Sequence, residues 1–225
     1  MEGLSGAVWD REGASHEMNK NLFALLVCGW TCLGLLSSAI MAYECLDWRP
    51  SSPWLFIAVL FIPFAGVFIT LRSKNPAISL LGFALITIPM GAVLGPVLAM
   101  YTTASIIKVV AVTMSMAMVL GLIGAMIPNS LESWGSWLIG GLWVLIICSF
   151  FEPIARMLSL PVEGALTWID WAAVVLFSGL LIFDFNRAMR VERTFGNSVD
   201  CAVGVYLDIM NLFLHLLRLM GRAKE

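Results

Sequence analysis

Long apolar runs, each about twenty residues, alternate along the chain with short polar segments. A helix crossing the hydrocarbon core of a bilayer needs about 20 apolar residues, so the pattern predicts membrane-spanning helices at about 21–43, 54–71, 77–100, 104–127, 134–151 and 165–186, with a last apolar run at about 199–220. Pro and charged residues supply the stops. Glu44 to Pro53 closes the first span, Arg72-Ser-Lys-Asn-Pro76 the second, Pro128-Asn-Ser130 the fourth and Glu152-Pro153 the fifth. A basic stretch from Arg187 to Arg193 follows the sixth. Connections this short make consecutive helices antiparallel neighbours. The expected organisation is a polar N-terminal tail over 1–20, one seven-helix domain over 21–221 and a short charged tail over 222–225. The apolar run after residue 20 is too long for the h-region of a signal peptide.

Composition narrows the function classes. Of 225 residues, 60% are hydrophobic and 12% charged; soluble domains carry about 25% charged residues. The net charge of −2 leaves no basic footprint, which argues against nucleic acid as a partner. The expected surroundings are a lipid bilayer, with a membrane protein as a possible further partner and the chain itself a monomer. Trp48, Trp54, Tyr101, Trp134, Trp137, Trp168 and Trp171 lie toward span ends, as interfacial belts require. The five cysteines include no CxxC motif; Cys28 and Cys32 share a helix face and are read as packing residues rather than metal ligands. Gly91-Ala-Val-Leu-Gly95 and the pair Gly121 and Ala125 are small-residue spacings that let backbones approach, read here as contacts within the chain rather than a dimer seam.

Lys and Arg counts address orientation. With the N-terminus cytoplasmic, the inner side holds Arg11, Lys20, Arg72, Lys74, Arg187, Arg190 and Arg193, against Arg49, Lys108 and Arg156 outside, seven against three. Arg218, Arg222 and Lys224 oppose this count if the last run crosses fully, and join it if that run is re-entrant; counting alone prefers the re-entrant form.

Ionisable groups inside spans are costly, so each is a functional hypothesis. Asp184, in Leu-Ile-Phe-Asp184-Phe, and Asp208, in Tyr206-Leu-Asp208-Ile, are 24 residues apart with Gly196 midway. A turn at Gly196 places both carboxylates about 18 Å from it on antiparallel helices, at matched depth. Two carboxylates in one dry site share a proton, which suits a proton sensor, a cation site or an acid–base couple. Arg72 ends the second span on the same side and either reaches a carboxylate or anchors the interface. Asp170 and Asp200 are read as solvated groups at span ends, Lys108 as a snorkelling residue, and His215 as structural.

These residues resemble the transmembrane Bax-inhibitor-motif family. The resemblance is carried by Leu181-Ile-Phe-Asp184 before a polar-basic loop and by the long motif Tyr206-Leu-Asp-Ile-Met-Asn-Leu-Phe-Leu-His-Leu-Leu-Arg-Leu-Met-Gly221, with support from Gly91-Ala-Val-Leu-Gly95-Pro96 and Gly124-Ala-Met126. It implies an all-α, polytopic fold of seven transmembrane helices with the last enclosed by the others, and a pH-sensitive calcium leak gated by a di-aspartyl pair. Carried over, that pair is Asp184 and Asp208, with calcium as the transported or regulating ion, and Arg72 corresponds to an arginine that locks it. Met90 stands where many members carry an acid. No enzymatic activity and no further cofactor are expected. The membrane is a bacterial inner membrane or, as the alternative, that of the endoplasmic reticulum. Two competing functions are a membrane-embedded regulator of a protease or cell-death partner without transport, and an intramembrane aspartyl protease; the second lacks the Gly-x-Gly-Asp such enzymes use.

Overall fold

The structure, a computed structural model, describes residues 17–49, 53–73, 75–158 and 163–224; the polar segment 1–16 lies outside them. Among the described residues there are seven α-helices and no strand: α1 (Lys20–Glu44), α2 (Pro53–Arg72), α3 (Pro76–Ala99), α4 (Thr103–Met126), α5 (Glu132–Met157), α6 (Glu163–Ala188) and α7 (Phe195–Met220). Six are long and apolar enough to cross a membrane; α2, taken over Phe61–Arg72, is a shorter apolar helix. The fold is that of a polytopic, all-helical membrane protein.

Two boundaries differ from the sequence reading. Helix α5 continues through Glu152 and Pro153 to Met157; proline removes one N–H and crowds one carbonyl, a cost that membrane helices tolerate when the freed groups find partners. Pro63, Pro89 and Pro96 likewise sit inside α2 and α3. Helix α7 starts at Phe195, so Gly196 is in its first turn and the reversal is at 189–194. The start is fixed by Thr194, whose Oγ1 accepts from the N–H of Asn197 at 3.2 Å, an N-cap bond. Asn197 Nδ2 in turn donates to Glu192 O at 2.7 Å.

The chain forms two compact units. The first holds α1, α2, α3, the reversal and the first half of α7 to Tyr206; the second holds α4, α5, α6 and α7 from Leu207. In the first unit, the buried positions of α1 are Phe23, Val27, Thr31, Gly34, Ser38 and Ala42, one helical stripe. Cys28 and Cys32 fall one residue round from it and are exposed, so they pack in no core, contrary to expectation. A Cβ on Gly91 would meet the Ser38 carbonyl, and one on Gly95 would lie 2.7 Å from the carbonyls of Ala42 and Cys45. The GxxxG of α3 is therefore the seat of α1. Hydroxyls inside these apolar helices bond back one turn, as in Thr31 Oγ1 to Val27 O at 2.9 Å and Thr70 Oγ1 to Gly66 O at 2.9 Å, leaving no free donor.

In the second unit, α4 meets α6 through Gly121, against the Phe185 ring, and Gly124, against the Ile182 carbonyl; the spacing used is Gly121 with Gly124 rather than with Ala125. Asn186 closes this contact. Its Nδ2 lies 3.1–3.2 Å from the carbonyls of Gly124, Ile127 and Asn129, and its Oδ1 accepts from Leu131 N–H at 3.2 Å. One side chain thus serves the open carbonyls at the end of α4 and the entry to α5.

The two ends of α7 settle its crossing. At its start, Met18 N–H donates to Arg193 O at 2.9 Å, and Glu17 pairs with Arg193 at 3.0 Å. At its end, Lys224 N–H donates to Met100 O at 2.9 Å, and Tyr101 bridges to Ala223. Three helices separate Met18 from Met100, so α7 runs from one membrane face to the other. The re-entrant alternative is wrong: Arg218, Arg222 and Lys224 share the side of the α3–α4 connection. The Lys and Arg balance then falls to seven against six, which no longer selects an orientation. Helix α7 is also the most enclosed, with 72% of its apolar window buried against 11–44% in the other five candidate spans.

Candidate functional site

Helix α7 carries polar side chains at intervals of three and four residues: Asn197, Asp200, Asp208, Asn211, His215 and Arg218, with Gly204 filling the gap between Asp200 and Asp208. At 100° per residue this is a single face. A polar stripe on an enclosed helix is what a path across a membrane needs. The sequence reading treated this run as apolar with isolated charges and missed the stripe; its helical period was the available signal.

Asp208 lies inside this stripe, 6% exposed, and its Oδ2 has no hydrogen-bond partner. The helix is held at this level in the first unit. Tyr206 is fully buried, its hydroxyl 2.7 Å from Ser38 Oγ, its ring edge-on to Phe83 at 5.8 Å. Ser38 Oγ also lies 2.7 Å from Thr87 O, so its single proton goes to a carbonyl and the Tyr206 hydroxyl donates to it.

Asp184 is partly buried, four residues before the end of α6. Asp208 is thirteen residues beyond the start of α7, so equal separation from Gly196 was not equal depth from the reversal. Each carboxylate is nevertheless within electrostatic reach of the other, Asp184 being a charge that acts on Asp208. The cation acting on Asp184 is Arg187, one turn on in α6. Arg72 is exposed in the last turn of α2, in the first unit. Asn186, two residues from Asp184, anchors this end of α6.

The pair offers at most four carboxylate oxygens, and no group of three or more His, Cys, Asp or Glu forms among the described residues. Calcium takes six to eight oxygens. Backbone carbonyls and water would have to complete such a shell.

A second cluster was not foreseen. Asp170, 8% exposed and so not solvated, lies on α6; His215, equally buried, lies on α7. His215 Nδ1 is 2.8 Å from Asp170 Oδ1; Arg218 Nη2 is 2.6 Å from the same oxygen and 2.7 Å from His215 Nδ1. The Phe177 ring stacks on the imidazole at 5.6 Å. Asp200 is also buried. Lys108 is exposed, as a snorkelling residue should be.

Comparison with known proteins accords with the fold and the motif. An uncharacterized protein of Borreliella burgdorferi is 28% identical over 225 aligned positions, covering 92% of this chain and 94% of that one. Protein LIFEGUARD 1 of Arabidopsis thaliana is 29% identical over 39% of this chain and 35% of its own length. Bax inhibitor 1 of Saccharomyces cerevisiae is 30% identical over 43% of this chain and 32% of its own length. The family profile described as Inhibitor of apoptosis-promoting Bax1 matches residues 16–225, all seven helices, and the chain belongs to that family.

Proposed function

We propose that the protein is a calcium leak channel in which Asp184 and Asp208 form the ion- and proton-sensitive site. One observation carries this reading: a carboxylate buried on an enclosed helix, one oxygen without a partner and a second carboxylate acting on it. Stability alone does not retain such an arrangement in lipid. A buried unpaired charge costs several kcal/mol, and intramembrane acids of this kind mark ion and proton pathways. Calcium is the cargo. Two carboxylates with water and carbonyls hold it weakly enough to release it, which conduction requires.

The pair holds one proton between its two carboxylates and one negative charge. That charge attracts Arg187 on the same helix, and the carried-over counter-charge Arg72 is the alternative latch. Acid supplies the second proton, removes the charge and frees the latch, so leak increases as pH falls. The partners of this reading are the bilayer and the ion, with a monomeric chain in a bacterial inner membrane.

A regulatory role without transport is the second reading, favoured by the family's description as an inhibitor of apoptosis-promoting Bax1 and by the yeast relative's name, Bax inhibitor 1. Calcium entry into proteoliposomes separates the two. A channel gives a flux that Asp208→Asn changes in size and pH dependence; a regulator gives no flux above protein-free liposomes with either protein.

A further inference from the structure

We propose that Asp170, His215 and Arg218 form a second proton-sensitive site, in which a proton on His215 Nδ1 releases Arg218. The site is separate from the aspartyl pair and stands whether or not the protein conducts calcium. Asp170 is fourteen residues before Asp184 on α6, about 21 Å along the helix, near the opposite membrane face. His215 is two turns beyond Asp208 on α7.

Three atoms form the core of this site. Asp170 Oδ1, His215 Nδ1 and Arg218 Nη2 are each within 2.8 Å of the other two. Three contacts of this length need compatible protons, and they do not all have them at once. The contact of Arg218 with Asp170 needs no ring proton, because a guanidinium N–H donates to a carboxylate oxygen, but it shares that oxygen with whatever His215 presents. The other two exclude each other. With Nδ1 bare, the ring nitrogen accepts a second N–H from Arg218, and its lone pair faces the carboxylate oxygen. With Nδ1 protonated, it donates to Asp170, and its N–H points away from the acceptor role that Arg218 needs. The triangle therefore has two states, distinguished by one proton.

Arg218 can only donate, so its 2.7 Å contact with Nδ1 assigns the neutral ring the tautomer with its proton on Nε2; acid selects the other state, because both ring nitrogens of the imidazolium carry protons. Among the described residues, the charged groups acting on His215 are Asp170 on α6 and Arg218 on its own helix. The apolar ring of Phe177 stacks on the imidazole and holds its plane. On protonation, Arg218 loses its bond to Nδ1, gains a positive neighbour at the same place and shares its one carboxylate oxygen with that neighbour. Asp170 and His215 stay buried and pair more tightly. Arg218, whose side chain is already 45% exposed, is the member free to leave. The result is an arginine at one end of the polar stripe of α7 that is docked at neutral pH and undocked in acid.

The test uses the full chain in lipid nanodiscs. The sequence has two histidines, so His16→Gln leaves His215 as the sole histidine, and its ring nitrogens are followed by 15N NMR through a pH series. In the same samples, Arg218 modification by an arginine-selective dicarbonyl is measured relative to Arg222, which corrects for the reagent's own pH dependence. Nδ1 is expected to pass from the bare to the protonated range in acid, with the Arg218 to Arg222 ratio rising about tenfold through the same interval, as the loss of one charge-assisted hydrogen bond implies. In His215→Gln the ratio should be flat. The proposal is overturned if Nδ1 keeps one state across the series, or if it titrates and the ratio does not move. The parent protein alone decides between these outcomes, so a failure of His215→Gln to fold leaves the test intact.

Discussion

Replacing Asn186 by Ala removes the clasp between α6 and the α4–α5 connection. The side chain makes contacts to three carbonyls and one N–H, all at 3.1–3.2 Å. Its amide has two hydrogens, so at most two of the three carbonyl contacts are fully made at once, giving three hydrogen bonds in total. At about 1 kcal/mol net each, these are worth about 3 kcal/mol. Water relieves part of the loss at Asn129, which is exposed, but not at Gly124, which is buried against α6. The expected destabilisation is about 2–4 kcal/mol, read as a shifted midpoint of unfolding in mixed micelles of increasing SDS fraction. Asn186→Asp is expected to be worse than Ala, because it turns carboxylate oxygens toward the carbonyls that the amide served. An Asn186→Ala midpoint within about 0.5 kcal/mol of the parent, the scale of an ordinary surface change, would refute the clasp; so would an Asp variant more stable than the Ala one.

Gly95→Val sets a branched side chain against the Ala42 and Cys45 carbonyls, which a Cβ already meets at 2.7 Å; α1 and α3 must part, and the variant should lose several kcal/mol or fail to accumulate, checked by the same SDS titration. Ser38→Ala should cost more than Tyr206→Phe, about 1–3 against about 1 kcal/mol, since the first strands a buried tyrosine hydroxyl while the second leaves Ser38 its bond to Thr87 O; equal losses would contradict the assigned donor. Glu17→Gln breaks a pair that is 37% and 58% exposed and should change the midpoint by less than about 1 kcal/mol. Arg187→Gln should flatten the pH dependence of calcium entry more than Arg72→Gln if Arg187 is the working counter-charge of Asp184, and a larger effect of Arg72→Gln would restore the expectation drawn from the family.

The helices were legible because apolar length and Pro-rich punctuation are local. Six of seven span readings fall within a few residues of the observed helices, and the α5 end failed because Glu152-Pro153 is a helix stop in water but not in a membrane protein. The two acids of α6 and α7 were legible as charge in lipid, although the position of the reversal, assigned to Gly196, was not; Thr194 and its bond to Asn197 are the cap that moved it. Asp170 looked like an interfacial acid because its partners come from His215 and Arg218, 45 and 48 residues later. Asn186 gave no signal at all, since an amide near a helix end is ordinary until its four partners are known. The side of Arg218, Arg222 and Lys224 stayed open in the sequence because a charge count weighs all cations alike, whereas Arg218 is paired with Asp170.

The central claim is that Asp184 and Asp208 act as one unit on the ion path, and a double-mutant cycle on calcium entry tests it most directly. Proteoliposomes holding the parent, Asp184→Asn, Asp208→Asn and the double variant are compared from acid to neutral pH. A pair sharing one proton and one ion has a single function to lose, so either single variant should abolish most of the pH dependence and the double variant should be no worse than the singles. Independent, multiplicative effects of the two substitutions, or a parent-like pH profile in all three variants, would contradict the account.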